Sequence, residues 1–511
     1  MTENIQNSNR LAKNTAFLYL RMLFTIGVGL YTSRIVLIHL GVQNFGIYNV
    51  VGGIVTMFSI ISASLSTSIS RFLTFELGKN NNYGLRLVFS TSLIILSAIS
   101  LIVALLVESI GLWFLNNEMS IPPSRITAAN WVLQCSLFTF IVNMMSVPFN
   151  AIIIAHERMK AFAYISILEV SLKLGVAFLL SISIFDSLIF YAVMLSLSSL
   201  IIRCIYNLYC RKNFFECKFK FIFEKSLLKK MLSFTGWNFI GSSSAILRDQ
   251  GINIAMNVFC GTTVNAARGI AVQVNNVVAG FTNNFMIAVN PQIIKSYANE
   301  QREYMFHLMR NSSKLSYYLL LIISLPIILT TPYLLKVWLT VVPEYTVNFT
   351  RLILIFGMSE AISLPMQFVN QASGKIKLYQ LTVGGLQLLN FPVSFVLLYL
   401  DYNPCYTFIV SIVVSQICLF ARLIILNKTV GLDIRQFLTD VYIRITATTA
   451  CAIPIPLIFS TYIPADGLIT LIANFVLCVF ISGVIILFTG CNLTQRRSIF
   501  NLLASKLKFN K

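Results

Sequence analysis

The stretch SVPFNAIIIAHERMK (Ser146–Lys160) recurs in outline 217 residues later as SLPMQFVNQASGKIK (Ser363–Lys377). Each copy has a proline in an apolar segment, and twelve residues after that proline a lysine closes a turn of the form (R/K)-x-K. The same offset places Arg211 over Lys428. We therefore predict two halves of similar plan. The shared proline-to-lysine spacing favours a true repeat over the alternative, a chance recurrence of basic turns.

The composition is that of a membrane protein. Hydrophobic residues occupy 57% of the 511 positions and charged residues only 11%. The mean hydropathy of +0.79 lies far outside the range of soluble globular domains. Apolar stretches of about 20 residues, long enough as helices to cross a hydrocarbon core of roughly 30 Å, recur along the chain. We therefore expect an all-α integral membrane protein.

Fourteen of these stretches are predicted to be transmembrane helices. They cover about 14–40, 45–70, 87–115, 127–154, 161–185, 187–209, 231–258, 263–292, 315–340, 346–370, 378–400, 404–427, 439–461 and 467–490. Combined with the repeat, they predict two six-helix bundles, at 1–210 and 231–428, joined by a basic linker at 211–230. Two further helices and a basic tail form the segment 429–511. Because both halves start on the same side, the repeats are parallel, as in many alternating-access transporters.

Lysine and arginine set the orientation, because cytoplasmic loops hold them in excess. Most of the 38 lysines and arginines lie in segments on the side of the amino terminus, above all in Arg203–Lys230. Arg422 is assigned to the cytoplasmic segment after the twelfth span, and the opposite side keeps only Arg125, Lys336 and Arg351. Both termini are thus predicted to be cytoplasmic. This topology explains most of the net charge of +20, so we expect no nucleic-acid partner.

Two six-helix bundles followed by two helices resemble the MOP exporter superfamily, which includes multidrug and toxin extrusion (MATE) transporters and polysaccharide (Wzx-type) flippases. Within it, SRIVLIHLGVQNFGIYNVV (Ser33–Val51) and SVPFNAIIIAHERMKAFAYISILE (Ser146–Glu169) are similar to the polysaccharide-biosynthesis branch. The resemblance covers essentially the whole chain. Its motifs are short and describe the fold rather than a substrate.

The resemblance implies a MATE-like flippase of the bacterial inner membrane. Such a protein moves an undecaprenyl-pyrophosphate-linked oligosaccharide, the repeat unit of O-antigen, capsule or a related surface polysaccharide, from the cytoplasmic to the periplasmic leaflet. A cationic central cavity would hold the acidic head group. The implied partners are the lipid-linked oligosaccharide and the bilayer, with a polysaccharide polymerase and glycosyltransferases as further candidates.

Three arginines within predicted spans are candidates for the head-group site. Ionisable residues inside a membrane usually face a bundle interior or a water-filled path, because charge in hydrocarbon is costly. At 1.5 Å per residue, Arg34 lies about 10 Å from the predicted outer turn at Gly41. Arg248 and Arg268 lie about 20 and 10 Å from the predicted outer turn at Gly261. The planar guanidinium of arginine suits phosphate oxygens. The alternative for Arg248 is an ion pair with an acid such as Asp249, although adjacent helical residues point about 100° apart.

Other polar residues within spans have two interpretations each. Lys173 could contact the substrate, or it could pair with Glu169 four residues earlier. Asn276, Asn283 and Asn290 recur every seven residues, on a face that suits either sugar hydroxyls or helix–helix hydrogen bonds. We assign Lys173, Asn276 and Asn283 to substrate binding. Four serines in span two are instead typical of close helix packing: Ser59, Ser62, Ser66 and Ser70.

Transport against a gradient needs a coupling ion, and four embedded acids are the candidates: Glu108, Glu169, Asp249 and Glu360. An embedded carboxylate can carry a proton or bind sodium, and the sequence does not choose between H⁺, Na⁺ and the membrane potential. No P-loop is present. The ten cysteines have no paired spacing, so we expect neither a disulfide framework nor a zinc site. We predict no cofactor and no metal site.

Three alternatives remain. A membrane glycosyltransferase or glycan polymerase would need a large loop with acids or histidines, but the outer loops are short and the chain has only 3 histidines; we therefore predict that the protein is not an enzyme. A MATE-type multidrug or cation antiporter would favour acids in the cavity, whereas the spans hold five bases against four acids. A lipid II flippase is the third alternative.

Overall fold

The computed structural model describes residues 2–56, 58–117, 121–218, 224–339, 342–462, 467–490 and 496. Within these ranges the chain is helical apart from short turns and contains no strand, which confirms the predicted all-α fold. The helices are α1 (Thr2–Thr56), α2 (Ser59–Gly78), α3 (Asn82–Leu106), α4 (Leu112–Asn117), α5 (Ile126–Ala155), α6 (Met159–Leu180), α7 (Ser187–Asn213), α8 (Lys225–Ala298), α9 (Arg302–Trp338), α10 (Thr346–Ser373), α11 (Ile376–Tyr399), α12 (Tyr406–Val430), α13 (Ile434–Phe437), α14 (Arg444–Ala452), α15 (Pro454–Tyr462) and α16 (Leu468–Ile485).

Among the described residues, 11 helical segments are long and apolar enough to cross a membrane. Each coincides with one of the fourteen predicted spans. The other three predicted spans, 45–70, 231–258 and 263–292, fall on the end of α1 with α2 and on the two arms of α8. These segments carry the four serines of span two, Arg248 and Arg268, and the asparagines of α8, which lower their hydropathy. The chain is therefore an integral membrane protein whose polar helices are the ones expected to hold a site.

Two long helices bend at a glycine. Helix α1 breaks at Gly41 (φ 73°, ψ 163°) and helix α8 breaks at Gly261 (φ 81°, ψ 178°). Residues with a Cβ rarely adopt this backbone conformation, whereas glycine adopts it readily. The two kinks join the first to the second and the seventh to the eighth predicted span, which are corresponding places in the two halves.

The backbone also repeats after the proline-containing helices. Pro148 lies inside α5 and Pro365 lies inside α10. The turn that follows each helix contains one left-handed residue, Glu157 (φ 58°) in the first copy and Gly374 (φ 74°) in the second. These two positions are 217 residues apart, the offset found in the sequence. The repeat is therefore one of backbone conformation as well as of residue type.

Contacts divide the chain into two compact units. The first unit comprises Met1–Ser242 and Ile287–Gln301, and the second comprises Ser243–Met286 and Arg302–Lys511. The boundaries after Ser242 and after Met286 both fall within α8, whereas we predicted that the linker at 211–230 separates the two lobes. The linker residues 219–223 and the basic tail beyond 490, apart from Arg496, lie outside the described residues. The predicted four-segment division stays a prediction.

Each unit is held by its own apolar packing. In the first unit, α5 packs against α7 and α2, and α1 packs against α6, around a core that includes Val51, Leu133 and Ala177. In the second unit, α10 packs against α9 and α12, and α11 packs against α12. Its core includes Met256 and Phe349. Each core therefore positions one polar cleft, described below.

Candidate functional site

The second unit contains a cleft of about 450 Å³, which we call the arginine cleft. Helices α8, α10 and α12 line it, and both arms of α8 contribute because the kink at Gly261 brings them together. The side chain of Asn275 packs against Gly357 on α10, where a Cβ would lie 2.6 Å from Oδ1 of Asn275. The polar lining consists of Arg248, Asp249, Gln250, Asn253, Arg268, Asn275, Asn276, Thr407 and Ser411.

Arg268 is fixed in this cleft by neutral acceptors. Its Nη1 donates to Oδ1 of Asn253 (3.1 Å), and its Nη2 donates to the carbonyl oxygen of Asp249 (3.0 Å). Its Nε is buried and has no hydrogen-bond partner among the described residues. No described carboxylate pairs with this guanidinium, so its charge remains available to an anion.

Arg248, in contrast, is partly neutralised. Its Nε donates to Oδ1 of Asp249 at 2.9 Å, and its guanidinium lies 5.6 Å from the centre of the Phe356 ring. The argument that adjacent helical residues do not face each other was wrong here, because a long arginine side chain bends far enough to span the offset. The Asp249 side chain is 57% exposed. The structure therefore brings Arg248 and Arg268 into one cleft but gives them different electrostatic surroundings.

Arg34 and Lys173 belong to the first unit and do not line the arginine cleft. Arg34 is exposed on the first arm of α1. Lys173 donates to Oε1 of Glu169 at 2.7 Å, and both side chains are partly exposed. Of the two interpretations of Lys173, the ion pair is present in the structure. Substrate contacts of both residues stay predictions.

Two of the three asparagines that recur every seven residues on α8 have exposed side chains. Asn276 lines the arginine cleft, and the side chains of Asn276 and Asn283 are exposed. Neither amide has a hydrogen bond to another described residue. The neighbouring Asn284 differs, because it is buried and donates to the carbonyl oxygen of Gly280 at 2.8 Å. Asn276 and Asn283 are thus free for a polar ligand, although their role stays a prediction.

Three of the four candidate coupling acids have a basic partner: Asp249 with Arg248, Glu169 with Lys173 and Glu360 with Arg422. Glu108 lies exposed in the π-helical turn Val107–Gly111 and has no basic partner among the described residues. The described residues include no group of three or more His, Cys, Asp or Glu arranged to hold a metal ion. A coupling role for any of the four acids stays a prediction.

The sequence-based interpretation did not identify a buried network around Arg422. We assigned Arg422 to a cytoplasmic segment, but it lies within α12 and is 3% exposed. Its Nε donates to the hydroxyl of Tyr379 at 3.0 Å, and its Nη2 is 3.8 Å from Oε2 of Glu360. Oε1 of Glu360 accepts from Ser415 at 2.7 Å. Helix α12 ends at Val430, and Gly431 caps it. Arg422 therefore lies more than two turns before the end of the helix.

The sequence matches the model of a known protein family. Residues 11–301 match the model of the family described as polysaccharide biosynthesis protein. No match was found among curated proteins.

Solved structures of similar fold are membrane transporters. The outward-facing conformation of a multidrug resistance MATE family transporter of the MOP superfamily has a TM-score of 0.69 and 13% identity, over 86% of this chain and 96% of that chain. A point mutant of the MATE transporter VcmN from Vibrio cholerae has a TM-score of 0.69 and 13% identity, over 84% of this chain and 99% of that chain. A MOP superfamily transporter from Pyrococcus furiosus Vc1, described as having a binding pocket of reverse polarity that suggests a different function, has a TM-score of 0.66 and 13% identity, over 81% of this chain and 94% of that chain.

At such low identity these structures show the fold alone, and that fold is MATE-like, as predicted. The family model, in contrast, spans more than half of the chain. The protein therefore belongs to the polysaccharide biosynthesis protein family and is built on the MATE-like fold of MOP superfamily transporters.

Proposed function

We propose that the protein is a flippase that moves an undecaprenyl-pyrophosphate-linked oligosaccharide from the cytoplasmic to the periplasmic leaflet of the bacterial inner membrane by alternating access. The family supports a role in polysaccharide biosynthesis, and the fold supports transport rather than catalysis. The observation that carries the proposal is Arg268, a guanidinium in the arginine cleft that neutral acceptors fix and no described carboxylate pairs.

A pyrophosphate suits this cleft. The lining contains two arginines and one aspartate, so it carries a net positive charge that an anion would neutralise. Arginine forms paired, charge-assisted hydrogen bonds with phosphate oxygens. Arg268 would bind the diphosphate first, and Arg248 would join if the anion displaces Asp249 from its guanidinium. Asn276 would contact oxygens at the same end of the ligand.

The second candidate is a MATE-type multidrug or cation antiporter, which the fold of the multidrug transporter favours. The polarity of the arginine cleft opposes it, because a cation would meet two arginines and a single acid, Asp249, which already pairs with Arg248. The transporter from Pyrococcus furiosus, whose pocket is described as having reverse polarity, supports the view that pocket polarity on this fold tracks function. A lipid II flippase has the same head-group chemistry and is separated from our proposal by the lipid that accumulates.

The test is a deletion of this protein followed by analysis of the surface polysaccharide and of undecaprenyl-linked intermediates. We expect the surface glycan to disappear and lipid-linked units to accumulate on the cytoplasmic leaflet, and the unaltered chain to restore export. Arg268→Ala and Arg34→Ala should each reach the membrane without restoring export. The matched control is Arg444→Ala, which removes a partly exposed arginine of the second unit whose pair with Asp440 is 3.9 Å long; such pairs contribute little.

Three outcomes would overturn the proposal. Full export with both Arg34→Ala and Arg268→Ala would refute the cationic site. A normal glycan in the deletion strain, together with changed sensitivity to cationic drugs, would favour the antiporter. Accumulation of lipid II with loss of viability would instead identify a lipid II flippase.

A further inference from the structure

The first unit has a cleft of its own, about 370 Å³ in volume, which we call the neutral cleft. It lies between the second arm of α1, α2, α5 and α7. Five lining residues bear a hydroxyl or amide group: Tyr48, Ser59, Ser136, Thr139 and Asn143. Among the residues that the structure describes in this lining, none is Asp, Glu, Lys, Arg or His. The volume falls in the range of small-molecule sites.

Four of these polar side chains have no hydrogen bond to any residue that the structure describes: Tyr48, Ser59, Ser136 and Asn143. Ser59 and Asn143 are exposed, and Tyr48 and Ser136 are half-buried. Polar groups inside a membrane protein are normally satisfied by neighbours or line a water-filled cavity. Here they point to a cleft whose hydrogen-bonding capacity is met by solvent or by a ligand. From the sequence we predicted that Ser59 serves close helix packing. In the structure it is exposed and lines the neutral cleft.

The walls of the neutral cleft are held by contacts that do not use these free groups. The ring of Tyr48 meets the ring of Tyr191 edge to face, with centroids 5.0 Å apart. Oγ1 of Thr139 lies 3.0 Å from Oγ of Ser196, which in turn lies 2.9 Å from the carbonyl oxygen of Ala192. The wall formed by α5 and α7 is thus fixed before a ligand arrives, and such preorganisation favours binding.

We propose that the neutral cleft binds an uncharged sugar ring. A sugar offers hydroxyl donors and acceptors to Ser136, Asn143 and the Tyr48 hydroxyl, and its C–H face packs on aromatic rings such as Phe140. A charged ligand would lose hydration in this cleft without finding a counter-charge. A hydrocarbon would leave four polar groups unpaired, which is costly. The inference rests on the proposed function insofar as the sugar is part of the exported oligosaccharide.

Gly53 provides a way to fill the cleft. A Cβ at Gly53 would meet no heavy atom within 4 Å, so Gly53→Leu can extend into the open space without displacing the backbone. Gly53→Ala is the matched control, because it adds only a methyl group at the same position. Asn143→Leu removes the amide at similar volume, and Tyr48→Phe removes only the hydroxyl.

The experiment uses the full chain in lipid nanodiscs and isothermal titration calorimetry. The probe is the oligosaccharide released by mild acid from the lipid-linked pool of host membranes, which lacks both pyrophosphate and lipid. We expect the unaltered chain and the control Arg444→Ala to bind it equally, and Gly53→Ala to lose less affinity than Gly53→Leu because it adds only a methyl group. Gly53→Leu should abolish binding, Asn143→Leu should weaken it about tenfold, and Tyr48→Phe should weaken it about threefold.

Three results would overturn the inference. They are no binding of the oligosaccharide to the unaltered chain, equal binding to Gly53→Leu, or cleft variants that instead lose affinity for the lipophilic cation tetraphenylphosphonium. A chain that restores export but does not bind the oligosaccharide refutes the neutral cleft as a sugar site and leaves the proposed function intact. A deletion strain with normal glycan refutes the function, and the titration still decides what the cleft binds.

Discussion

The arginine cleft and the neutral cleft differ in charge although each lies in a unit with a glycine-kinked helix. Gly41 and Gly261 have nearly the same backbone conformation. The second unit nevertheless places Arg248 and Arg268 in its cleft, whereas the described lining of the first unit's cleft contains no Asp, Glu, Lys, Arg or His. The repeat therefore constrains the backbone and leaves the side-chain chemistry free to diverge. Divergence of this kind would let one protein recognise a diphosphate and a sugar on separate surfaces.

Reversing the charge of the arginine cleft should have the largest effect. Arg268→Glu places a carboxylate near the exposed Asp249, so a pyrophosphate would meet two acids instead of a free guanidinium. We expect the rate of export to fall at least about a hundredfold, because a charge-assisted pair is replaced by repulsion. Arg268→Lys keeps the charge without the planar fork and should lose about tenfold.

The measurement is the initial rate at which lipid-linked oligosaccharide appears in the outer leaflet, normalised to the amount of protein in the membrane. Arg444→Glu is the control for charge reversal elsewhere in the second unit. Export by Arg268→Glu at more than a tenth of the unaltered rate would contradict the assignment.

Adding charge to the neutral cleft should have the next largest effect. Ser136→Asp places a carboxylate in a cleft whose described lining contains no basic residue, and an unpaired charge there is poorly solvated. We expect export to fall about tenfold, whereas Ser136→Ala should lose no more than about twofold because a single neutral hydrogen bond contributes little. The same leaflet assay measures both variants. Equal export by Ser136→Asp and Ser136→Ala would show that the two clefts need not differ in charge.

Hydropathy and the offset of 217 residues were sufficient to predict the helical fold and the repeat, because membrane spans need long apolar stretches. The depth of Arg422 was not predictable from hydropathy, since the helix end at Gly431 and contacts with Tyr379 decide it. The pair of Arg248 with Asp249 depends on a side-chain rotamer that sequence spacing does not fix.

The neutral cleft had no sequence signal at all. Tyr48 and Asn143 are common residue types that lie far apart in the chain, and only packing brings them together. Charged residues within spans are conspicuous because their burial is costly. Neutral polar residues are tolerated in many places, so their clustering can be recognised only in the structure.

A smaller effect is expected at the repeated turn, where the first unit has Glu157 and the second has Gly374. The left-handed conformation costs a non-glycine residue roughly 1–2 kcal/mol. Glu157 tolerates it because its buried carboxylate accepts from Lys295 at 2.8 Å and from Gln292 at 3.4 Å. Glu157→Gly relieves the strain but leaves Lys295 without this acid, and breaking such a pair costs about 3–5 kcal/mol when it is fully buried.

Since Lys295 is 23% exposed, we expect a net loss of about 1–3 kcal/mol for Glu157→Gly. Thermal unfolding in nanodiscs, followed by tryptophan fluorescence, measures it. Gly374→Ala is the counterpart in the second unit and should lose about 1 kcal/mol through strain alone. Greater stability of Glu157→Gly would mean that the ion pair contributes less than the strain it imposes.

The smallest effect is expected from exchanging the partners of the pair formed by Glu169 and Lys173. Both side chains are partly exposed and lie four residues apart on α6, a geometry worth about 0.3–0.5 kcal/mol on a helix surface. Lys173→Glu alone places two acids together and should reduce export, whereas Lys173→Glu with Glu169→Lys restores the pair in reverse and should return export to within about twofold. If the exchanged pair stays inactive at normal protein levels, position 173 requires a positive charge for the substrate. The first unit would then contribute a substrate-binding cation in addition to its neutral cleft. Both units would carry positive charge for the substrate, and they would differ only in how much.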